Sequence, residues 1–494
     1  MSKFNKSTKE KVTLTTNNCG VDAYSMKDKD LLISQVLTSF FNEKKYYGDN
    51  SNELVKVARR VIEKDPQFVA NLALYARNEM NMRTTSHVLM AELSHSQNGK
   101  KYARETIKKG TVRVDDMTEI LSYYNANFGK PFSNSLKKGL ADSFLKFNEY
   151  SLAKYNRANK DFTLKDILCL THPTPTSQEQ SGMFKRVLEN TLETPKTWET
   201  QLSTRGNTKE VWEELISERK LGYMAMLRNM RNILNAGVEN INDVYKFLSN
   251  EERVLRSRQL PFRFYSAYKE LKNVNGTTSR TLDTLENAMK LSTQNIKKLE
   301  GKTLIAIDTS GSMGCSISNN STVSCEDIAK VIGSIGNYIC EDSIIVTFDT
   351  SLKTVTLPSS NGIISNAMGI SAMGGGTDLT LPLEYLINNK INVDRIIMIS
   401  DNEMNRGFER ARYSYFSSNK NSTSCQDLLN KYKSNINKDV WFHAIDLQGY
   451  GTQQFKGNKV NLIAGWSEKV FDFMALAENG TSNLVKTISN HHLT

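Results

Sequence analysis

Apolar residues recur at helical spacing through the first three-fifths of the chain. From about residue 28 to 298 they follow a period of three to four residues, as at 30–41, 52–64, 66–80 and 85–94, and no segment alternates convincingly with period two. Asp65 before Pro66 is placed to cap the helix that follows. Short helices in close succession are typical of an α-solenoid of the HEAT type. The pattern therefore predicts an all-α HEAT-like solenoid over residues 1–298.

The pattern changes near residue 300. Apolar runs at 304–307, 343–349, 394–400, 440–446 and 460–465 alternate with helical patterns at 326–339, 379–388, 424–434 and 467–478. Strands that alternate with helices predict a mostly parallel, doubly wound α/β domain over residues 299–494. Ligands of such sheets bind beyond the carboxyl ends of the strands, so the loops after Ile307 and Ile399 become the first candidates for a site.

These loops carry oxygen donors. Asp308, Ser310 and Ser312 form a D-x-S-x-S loop after the first strand, Thr377 lies in GGGTD (374–378), and Asp401 lies in SDNE (400–403). A hard divalent cation such as Mg²⁺ prefers oxygen ligands. The three parts, in this order, resemble the metal-ion-dependent adhesion site of von Willebrand factor A domains. We therefore expect these five residues to bind a divalent metal, with Mg²⁺ as the first choice.

This donor set favours binding over catalysis. A phosphotransferase of the D-x-D type needs an acidic residue where Ser310 stands, and no general base lies nearby. The sequence also contains no GxxxxGK[ST] motif for nucleotide hydrolysis. With few carboxylate ligands, the ion keeps positive charge and an open position for a carboxylate or phosphate oxygen of a partner. We therefore expect a protein that is not an enzyme.

Charge separates the two parts of the chain. The 494 residues carry a formal net charge of +11, with 39% hydrophobic and 24% charged residues, as in a folded multidomain protein. Residues 1–300 contain 48 Lys and Arg against 35 Asp and Glu, whereas residues 301–494 contain 16 against 18. Between Lys100 and Lys165 there are 14 basic and 7 acidic residues. The helical part is thus the candidate for binding a polyanion, although solvated helix faces also produce such an excess.

Other compositional features bear on location. The amino terminus has no apolar core after its first charges, and no stretch reaches the roughly 18 apolar residues of a membrane span. The six cysteines are scattered, without a CxxC pair. We expect a cytoplasmic protein with reduced thiols and no membrane association.

The helical part resembles a known module. LALYARNEMNMRTTSHVLMAEL (72–93), KDILCLTHP (165–173) and KLGYMAMLRNMRNI (220–233) are similar to the TROVE module of Ro autoantigen proteins, as are the segments at 152–156 and 194–203. An A domain with DTSGSM, GGGTD and SDNE follows, so the chain resembles Ro proteins over nearly its whole length. The resemblance implies a monomeric ring in which the HEAT-like helices are closed by contact with the A domain.

The resemblance also implies a function. Proteins of this family bind small structured non-coding RNAs, the Y RNAs, on a basic outer surface, and single-stranded 3′ ends of misfolded RNAs in a central hole. Bacterial relatives associate with exoribonucleases such as polynucleotide phosphorylase through a Y RNA tether. We therefore expect an RNA-binding protein of RNA quality control, or an adaptor to an exoribonuclease.

Five positions match the RNA-binding surface of the family. They are Lys137, Lys138, Lys154, Arg157 and His172. Without the resemblance, we would interpret His172 as a helix-end histidine that packs against a proline. The lysines would then belong to a solvated helix face.

The residues by themselves are also compatible with two other functions. In the first, the chain is a protein-interaction scaffold whose metal site captures an acidic residue of a partner. In the second, it is a metal-dependent hydrolase.

Overall fold

The computed structural model describes residues 14–16, 22–25, 27–38, 53–156, 161–316, 323–358, 360–372, 374–401, 424–448, 452–465, 469–478 and 484–491. These residues form two compact units. The helical unit consists mainly of the described residues of Leu32–Asn295, and the α/β unit mainly of those of Ile296–Trp466. The predicted change from helices to a mixed sheet thus falls close to residue 298.

The first half of the helical unit is a regular stack of short helices. Its members are α1 (Asp28–Thr38), α2 (Glu53–Lys64), α3 (Pro66–Asn78), α4 (Arg83–His95), α5 (Lys100–Gly110), α6 (Val114–Phe128), α7 (Asn134–Phe144), α8 (Glu149–Tyr155), α9 (Leu164–Thr171) and α10 (Gln178–Glu189). Asp65 caps α3 as expected, because its carboxylate accepts a hydrogen bond of 3.1 Å from the Phe68 amide, and Pro66 occupies the first turn.

These helices pack in two layers. In one layer α3 contacts α5, α5 contacts α7, and α7 contacts α9; in the other, α2 contacts α4, α4 contacts α6, and α6 contacts α8. Each helix from α2 to α7 therefore meets the helix two positions further along the chain, as in a HEAT-type repeat. The buried faces supply the shared core, for example Leu72, Leu89, Ile107 and Ile120.

The second half of the helical unit continues with shorter helices. They are α11 (Trp198–Arg205), α12 (Lys209–Ser217), α13 (Tyr223–Arg228), α14 (Met230–Ala236), α15 (Ile241–Leu248), α16 (Glu251–Ser257), α17 (Pro261–Leu271) and α18 (Ser279–Ser292). Helix α18 packs against α15, α16 and α17, and α14 packs against α12 and α17. Among the helices of the described residues, none is long and apolar enough to cross a membrane.

The α/β unit contains a six-stranded sheet in the order β5-β4-β3-β6-β7-β9. Its strands are β3 (Leu299–Asp308), β4 (Cys340–Phe348), β5 (Leu352–Val355), β6 (Arg395–Ser400), β7 (Trp441–Asp446) and β9 (Val460–Ala464). Every neighbouring pair is parallel except β4 and β5. The five predicted strands are confirmed, and the short antiparallel edge strand β5 was missed because only four residues carry it.

Helices cover both faces of this sheet. They are α19 (Cys325–Ile339), α20 (Ile363–Gly369), α21 (Leu381–Asn388), α22 (Cys425–Asn435) and α23 (Val470–Glu478). Side chains of β3 alternate between the two cores. Leu304 joins a buried cluster with Leu383 and Leu429, whereas Ile305 lies so close to α19 that a Cβ at Gly336 would come within 2.6 Å of its Cδ1.

The two chain ends differ from the predicted domain bounds of 1–298 and 299–494. Near the amino terminus, β1 (Leu14–Thr16) and β2 (Asp22–Ser25) form a small sheet with β8 (Thr452–Gln453), so they belong to the α/β unit. Near the carboxyl terminus, α24 (Leu484–Ser489) packs on α3 in the helical unit, where the Asn71 amide donates a 3.0 Å hydrogen bond to the Ser489 carbonyl. Strand pairing and helix docking, which ignore sequence distance, decide both assignments.

Candidate functional site

The predicted oxygen donors of the α/β unit lie at the switch point of its sheet. The chain leaves the central strand β3 for β4 on one side and later returns to β6 on the other side. Asp308 ends β3, and Asp401 directly follows β6. Because β3 and β6 are adjacent and parallel, the topology places both carboxylates at one edge.

Hydrogen bonds connect the three hydroxyl residues to Asp308. The Thr377 hydroxyl donates to Ser310 Oγ at 3.0 Å, and the Oγ atoms of Ser310 and Ser312 lie 3.3 Å apart. The Ser310 amide donates to Asp308 Oδ1 at 2.9 Å. The structure thus brings Asp308, Ser310, Ser312 and Thr377 into one connected group, hereafter, with Asp401, the donor cluster. Within it, Ser312 alone is exposed.

Glycines allow the loops of the donor cluster to approach each other. The Gly311 amide donates to the Gly375 carbonyl, and the Gly374 amide donates to the Thr309 carbonyl, each at 2.9 Å. A Cβ at Gly375 would lie 2.6 Å from Asp349 Oδ2, which accepts a hydrogen bond from the Gly375 amide. A side chain at this position would therefore push the loop of Thr377 away from the Asp349 loop that follows β4.

Burial dominates the electrostatics of the donor cluster. Burial raises the pKa of Asp308 to about 7, hydrogen bonds from Ser310 and Ser400 oppose this shift, and the charge of Asp401 adds to it. Ser400, whose hydroxyl donates to Asp308 Oδ2 at 2.6 Å, was not predicted to take part. Across the described residues, no three His, Cys, Asp or Glu side chains form a metal cluster. Any cation here would depend on hydroxyl as well as carboxylate oxygens.

A second candidate site lies in the helical unit. A groove of about 600 Å³ opens between the carboxyl end of α5, the start of α6, and α8. We call it the basic-aromatic groove, and the side chains that define it are Lys109, Val112, Arg113, Lys146, Tyr150, Lys154 and Tyr155. It exposes 53% of Val112 and 58% of Tyr150, which are two of the four exposed large hydrophobic residues in the described part of the chain.

Cations and aromatic rings alternate along this groove. The Arg113 guanidinium carbon lies 5.0 Å from the centre of the Tyr155 ring, and Lys154 Nζ lies 5.9 Å from it. Lys146 donates hydrogen bonds to the carbonyls of Lys108 and Thr111 and so caps the carboxyl end of α5. The groove therefore presents positive charge next to the exposed Tyr150 side chain.

A buried carboxylate fixes the rim of the groove. Asp116 Oδ2 accepts hydrogen bonds from the amides of Val112 and Arg113 at 3.0 and 2.8 Å. Arg77, Arg83 and His87 also bind this carboxylate. Burial by itself raises the pKa of Asp116, but these partners hold it well below its usual range. The 112–113 segment is therefore anchored to the core of the helical unit.

The five RNA-binding candidates that the sequence predicts do not lie together in the structure. Lys154 lines the groove and is exposed. Lys137 and Lys138 lie on α7, and His172 lies at the exposed end of α9 in a left-handed conformation; none of the three lines the groove. Arg157 lies outside the described residues. Sequence reasoning missed Arg113, Lys146, Tyr150 and Tyr155, because nothing in the local pattern shows that the ends of α5, α6 and α8 converge.

Comparison with known proteins places the chain in a family. The model of the TROVE domain matches residues 5–191 and 185–310, and the model of the Ro60 vWA domain matches residues 302–414. The chain belongs to the Ro autoantigen family. Both the order of the two modules and the α/β unit agree with the resemblance found in the sequence, so the predicted two-part fold of helical solenoid and A domain is confirmed.

Several relatives share part of this Ro-family chain. Telomerase protein component 1 of Rattus norvegicus is 24% identical over 325 residues, which are 49% of this chain and 12% of that protein. The RNA-binding protein RO60 of Deinococcus radiodurans is 26% identical over 208 residues, 37% of each chain. The RO60 of Caenorhabditis elegans is 25% identical over 218 residues, 41% of this chain and 33% of the relative. The matches thus span about an eighth of the telomerase component and about a third of the RO60 proteins.

A solved structure shares the fold of this Ro-family chain. The crystal structure of the Deinococcus radiodurans RO (RSR) protein matches with a TM-score of 0.67 at 16% sequence identity, covering 92% of this chain and 100% of that one. At this identity the likeness concerns the fold alone.

Proposed function

We propose that this protein binds RNA through the basic-aromatic groove. The observation that carries the proposal is the convergence of Lys109, Arg113, Lys146 and Lys154 around the exposed Tyr150. Lysine and arginine neutralise phosphates, and an exposed ring stacks on a base without regard to its identity. Support also comes from the family, since two relatives carry the name RNA-binding protein RO60.

Salt-dependent binding tests this proposal. We expect the logarithm of the affinity for a short RNA hairpin to fall linearly with the logarithm of salt concentration. Arg113→Ala and Lys154→Ala should each lower the affinity and reduce the steepness of that line by about one unit, because each removes one phosphate contact. The measurement is fluorescence anisotropy of the labelled hairpin with the full chain over a series of salt concentrations.

Lys246→Ala is the matched control. Lys246 is an exposed lysine of α15 and does not line the groove. Its removal takes the same charge from the helical unit, so a general electrostatic attraction predicts the same loss in all three variants. Equal losses in the control and the groove variants would therefore count against a specific site.

The RNA class belongs to the same proposal. We propose that the groove binds a small structured RNA of the Y RNA kind. We further propose that the protein captures 3′ ends of misfolded RNA. It would do so in RNA quality control, or as an adaptor to an exoribonuclease such as polynucleotide phosphorylase. Crosslinking in cells followed by sequencing separates these roles. One abundant structured small RNA would favour the adaptor, and many 3′-extended transcripts would favour surveillance. RNA recovered only in proportion to its cellular abundance would contradict both.

A divalent cation, Mg²⁺ in the first instance, is the second part of the proposal. The donor cluster fits it, because two buried carboxylates and three hydroxyls converge there and burial raises the pKa of Asp308. Asp308, Ser310, Ser312, Thr377 and Asp401 would hold the ion, which would supply a positively charged coordination site for a carboxylate or phosphate oxygen. Ser312 offers the approach from solvent, since it is the exposed member.

Calorimetric titration with Mg²⁺ tests the metal site. We expect saturable binding to the full chain that is lost in Asp308→Asn and weakened in Ser312→Ala, because each change removes an oxygen donor. Asp342→Asn, which removes an exposed carboxylate of β4, serves as the control and should bind as the unaltered chain does. Equal binding in Asp308→Asn and the control would contradict a site at the donor cluster.

The remaining question is whether the cation serves binding or catalysis. We infer binding, since the donor cluster holds a serine where the D-x-D phosphotransferases have a second acid. A metal-dependent scaffold that captures an acidic residue of a partner is the alternative supported by the same donor cluster. It predicts that Asp308→Ala abolishes a protein complex. Phosphodiesterase activity that depends on Mg²⁺ and disappears in Asp308→Ala would overturn the non-catalytic assignment.

A further inference from the structure

A second cavity of the helical unit, of about 320 Å³, has a different chemistry from the groove. It lies where α2, α4 and α6 end, and its lining includes Arg59, Glu63, His95, Ser96, Asn127 and Phe128. We call it the His95 pocket. Val114 lines the groove at the start of α6, and Phe128 lines the pocket at its end. At a rise of 1.5 Å per residue, the two sites are about 20 Å apart along this helix.

Stacked aromatic rings form one wall of the pocket, which we call the aromatic platform. The rings of His95 and Phe128 are stacked, with centroids 3.9 Å apart and planes within 5° of parallel. Tyr124 meets both rings edge-on, and its hydroxyl lies 3.4 Å from His95 Nδ1. His95 is exposed, whereas Phe128 is half-buried behind it. The platform therefore ends in an imidazole that is held in place and reaches solvent.

A buried network holds the arginine of the pocket. Arg59 makes two hydrogen bonds to the Glu92 carboxylate, at 2.9 and 3.1 Å, and the Tyr123 hydroxyl donates to the same carboxylate at 2.9 Å. The Arg59 guanidinium carbon lies 5.5 Å from the centre of the Phe128 ring. Since Glu92 is 2% exposed, this arrangement is set before any ligand arrives.

The charge of the pocket argues against a phosphate as the buried group. Three helices end here, so the negative ends of their dipoles lie at the pocket. Glu63 adds a carboxylate, which accepts a 3.0 Å hydrogen bond from the Asn98 side-chain amide and keeps further lone pairs for a ligand. Burial lowers the pKa of His95 against the opposing charge of Glu92, and the nearby charges of Arg59 and Lys100 lower it further. The imidazole is therefore protonated less readily than that of a free histidine. A flat, uncharged ligand with hydrogen-bond donors fits these conditions.

We propose that the His95 pocket binds one unpaired RNA base that carries an exocyclic amino group, stacked on His95. The inference rests on the RNA-binding function proposed above and deepens it. Unpaired bases are splayed out and stacked on histidine and aromatic rings in single-stranded RNA recognition, whereas paired bases are not accessible. The amino group of cytosine, adenine or guanine would donate to the Glu63 carboxylate, and uracil has no such group. Lys100 and Lys101, at the start of α5, lie beside Ser96 in sequence and offer positive charge for the RNA backbone.

The alternative ligand of the His95 pocket is a cationic side chain of a protein. Aromatic rings and carboxylates also suit an ammonium group. Arg59 disfavours it, because its guanidinium already lies near the Phe128 ring and would repel a second cation.

The test uses the full chain and three RNAs that share one hairpin. The first has a blunt end, the second a single-stranded 3′ overhang of cytidines, and the third an overhang of uridines, each overhang long enough to span about 20 Å. Cytosine and uracil rings have similar size, so their difference isolates the amino group. We expect the cytidine overhang to raise affinity about tenfold over the blunt hairpin in fluorescence anisotropy, and the uridine overhang to raise it less.

Variants of pocket residues test whether the higher affinity for the cytidine overhang depends on the pocket. His95→Ala should remove the benefit of the cytidine overhang, whereas His95→Phe should retain it, because it keeps a stacking ring. Glu63→Gln should reduce the difference between cytidine and uridine. His95 is exposed, so these changes leave the core in place, and Phe128→Leu provides a second variant that removes the supporting ring. Lys154→Ala should weaken all three RNAs alike.

The outcomes separate this proposal from the wider one. If all three hairpins bind equally well, or if His95→Ala retains the overhang effect, the pocket assignment is wrong while RNA binding stands. If none of the hairpins binds the unaltered chain, both proposals are overturned. Binding of a lysine-rich peptide that is lost in His95→Ala, with no overhang effect, would identify the pocket as a site for cationic protein segments and overturn the assignment.

Discussion

At the scale of single residues, Asp116 is a buried carboxylate with five hydrogen-bond partners in the described part of the helical unit. It is fully buried and binds Arg77, Arg83 and His87 in addition to two backbone amides. Removing one partner of a buried charge network costs about 3–5 kcal/mol, because the remaining charges lose their compensation. Asp116 therefore has a large role in stability and, through the amide of Arg113, in the shape of the groove.

Asp116→Asn should reveal this role through its dependence on pH. The pKa of Asp116 is held well below its ordinary value of about 3.9, so its stabilising contribution is fully present above about pH 4. As pH falls below 4, the unfolded state of the unaltered chain takes up a proton at Asp116, so the contribution of this residue to the free energy of unfolding decreases. We expect Asp116→Asn to lower the free energy of unfolding by about 3 kcal/mol at pH 7, and the gap to shrink by up to about 1.4 kcal/mol per pH unit below pH 4.

The neighbouring Asp115 supplies the control. Its side chain is 25% exposed and pairs with Arg83 and Arg113, so Asp115→Asn should cost less than about 1 kcal/mol. Urea unfolding followed by far-ultraviolet circular dichroism measures both variants. A gap for Asp116→Asn that stays constant from pH 7 to pH 2 would show that its charge is not what stabilises the fold.

At the scale of elements, the close succession of helices makes some linkers intolerant of any side chain. Gly99 joins α4 to α5, and a Cβ there would lie 2.9 Å from the Leu93 Cα and closer still to the Leu93 carbonyl oxygen. These are backbone atoms of a buried helix, so they cannot move aside without shifting α4. The same linker forms one side of the His95 pocket through Ser96.

Gly99→Ala should therefore destabilise the helical unit, although its backbone φ of −80° suits any residue. We expect a loss of about 1–3 kcal/mol in the free energy of unfolding, the usual cost of overpacking. Gly222→Ala is the matched change, because Gly222 precedes α13 with a φ of −69° and nothing within 4 Å of the added Cβ. It should be neutral or slightly stabilising. Similar unfolding midpoints for the two variants in urea would contradict this steric account.

At the scale of the whole molecule, charge and candidate chemistry are divided between the two units. The surplus of positive charge lies in residues 1–300, where the groove and the His95 pocket are found. The donor cluster lies in the near-neutral remainder, at the edge of the six-stranded sheet. A polyanion is attracted to the helical unit by this distribution, independently of any cation at the donor cluster.

This division predicts that RNA binding and metal binding are separable. Asp308→Asn should change the affinity for the hairpin by less than about twofold at fixed monovalent salt, because it removes no phosphate contact. Fluorescence anisotropy with and without Mg²⁺ measures this, and a thermal melt confirms that the variant is folded. A large loss of RNA affinity in a folded Asp308→Asn variant would instead make the A domain a part of the RNA site.

The sequence by itself determined the fold class and the composition of the donor cluster. Helical periodicity, short apolar runs and the cap at Asp65 are local properties, so they predict local elements correctly. Asp308 and Asp401 each follow a strand, and parallel strands put their carboxyl ends on one edge. The order of the motifs along the chain is therefore enough to predict that these oxygen donors lie at one edge of the sheet.

Only the tertiary structure decided the two sites of the helical unit. The groove takes its side chains from the ends of α5, α6 and α8, and the pocket takes its own from the ends of α2, α4 and α6. Which ends converge depends on the contact of each helix with the helix two positions along, and no periodicity within one helix encodes that contact. The same reason explains β2, which pairs with β8 more than 400 residues away and joins β1 to the α/β unit. Local pattern fixes what an element is, and packing decides which elements share a surface.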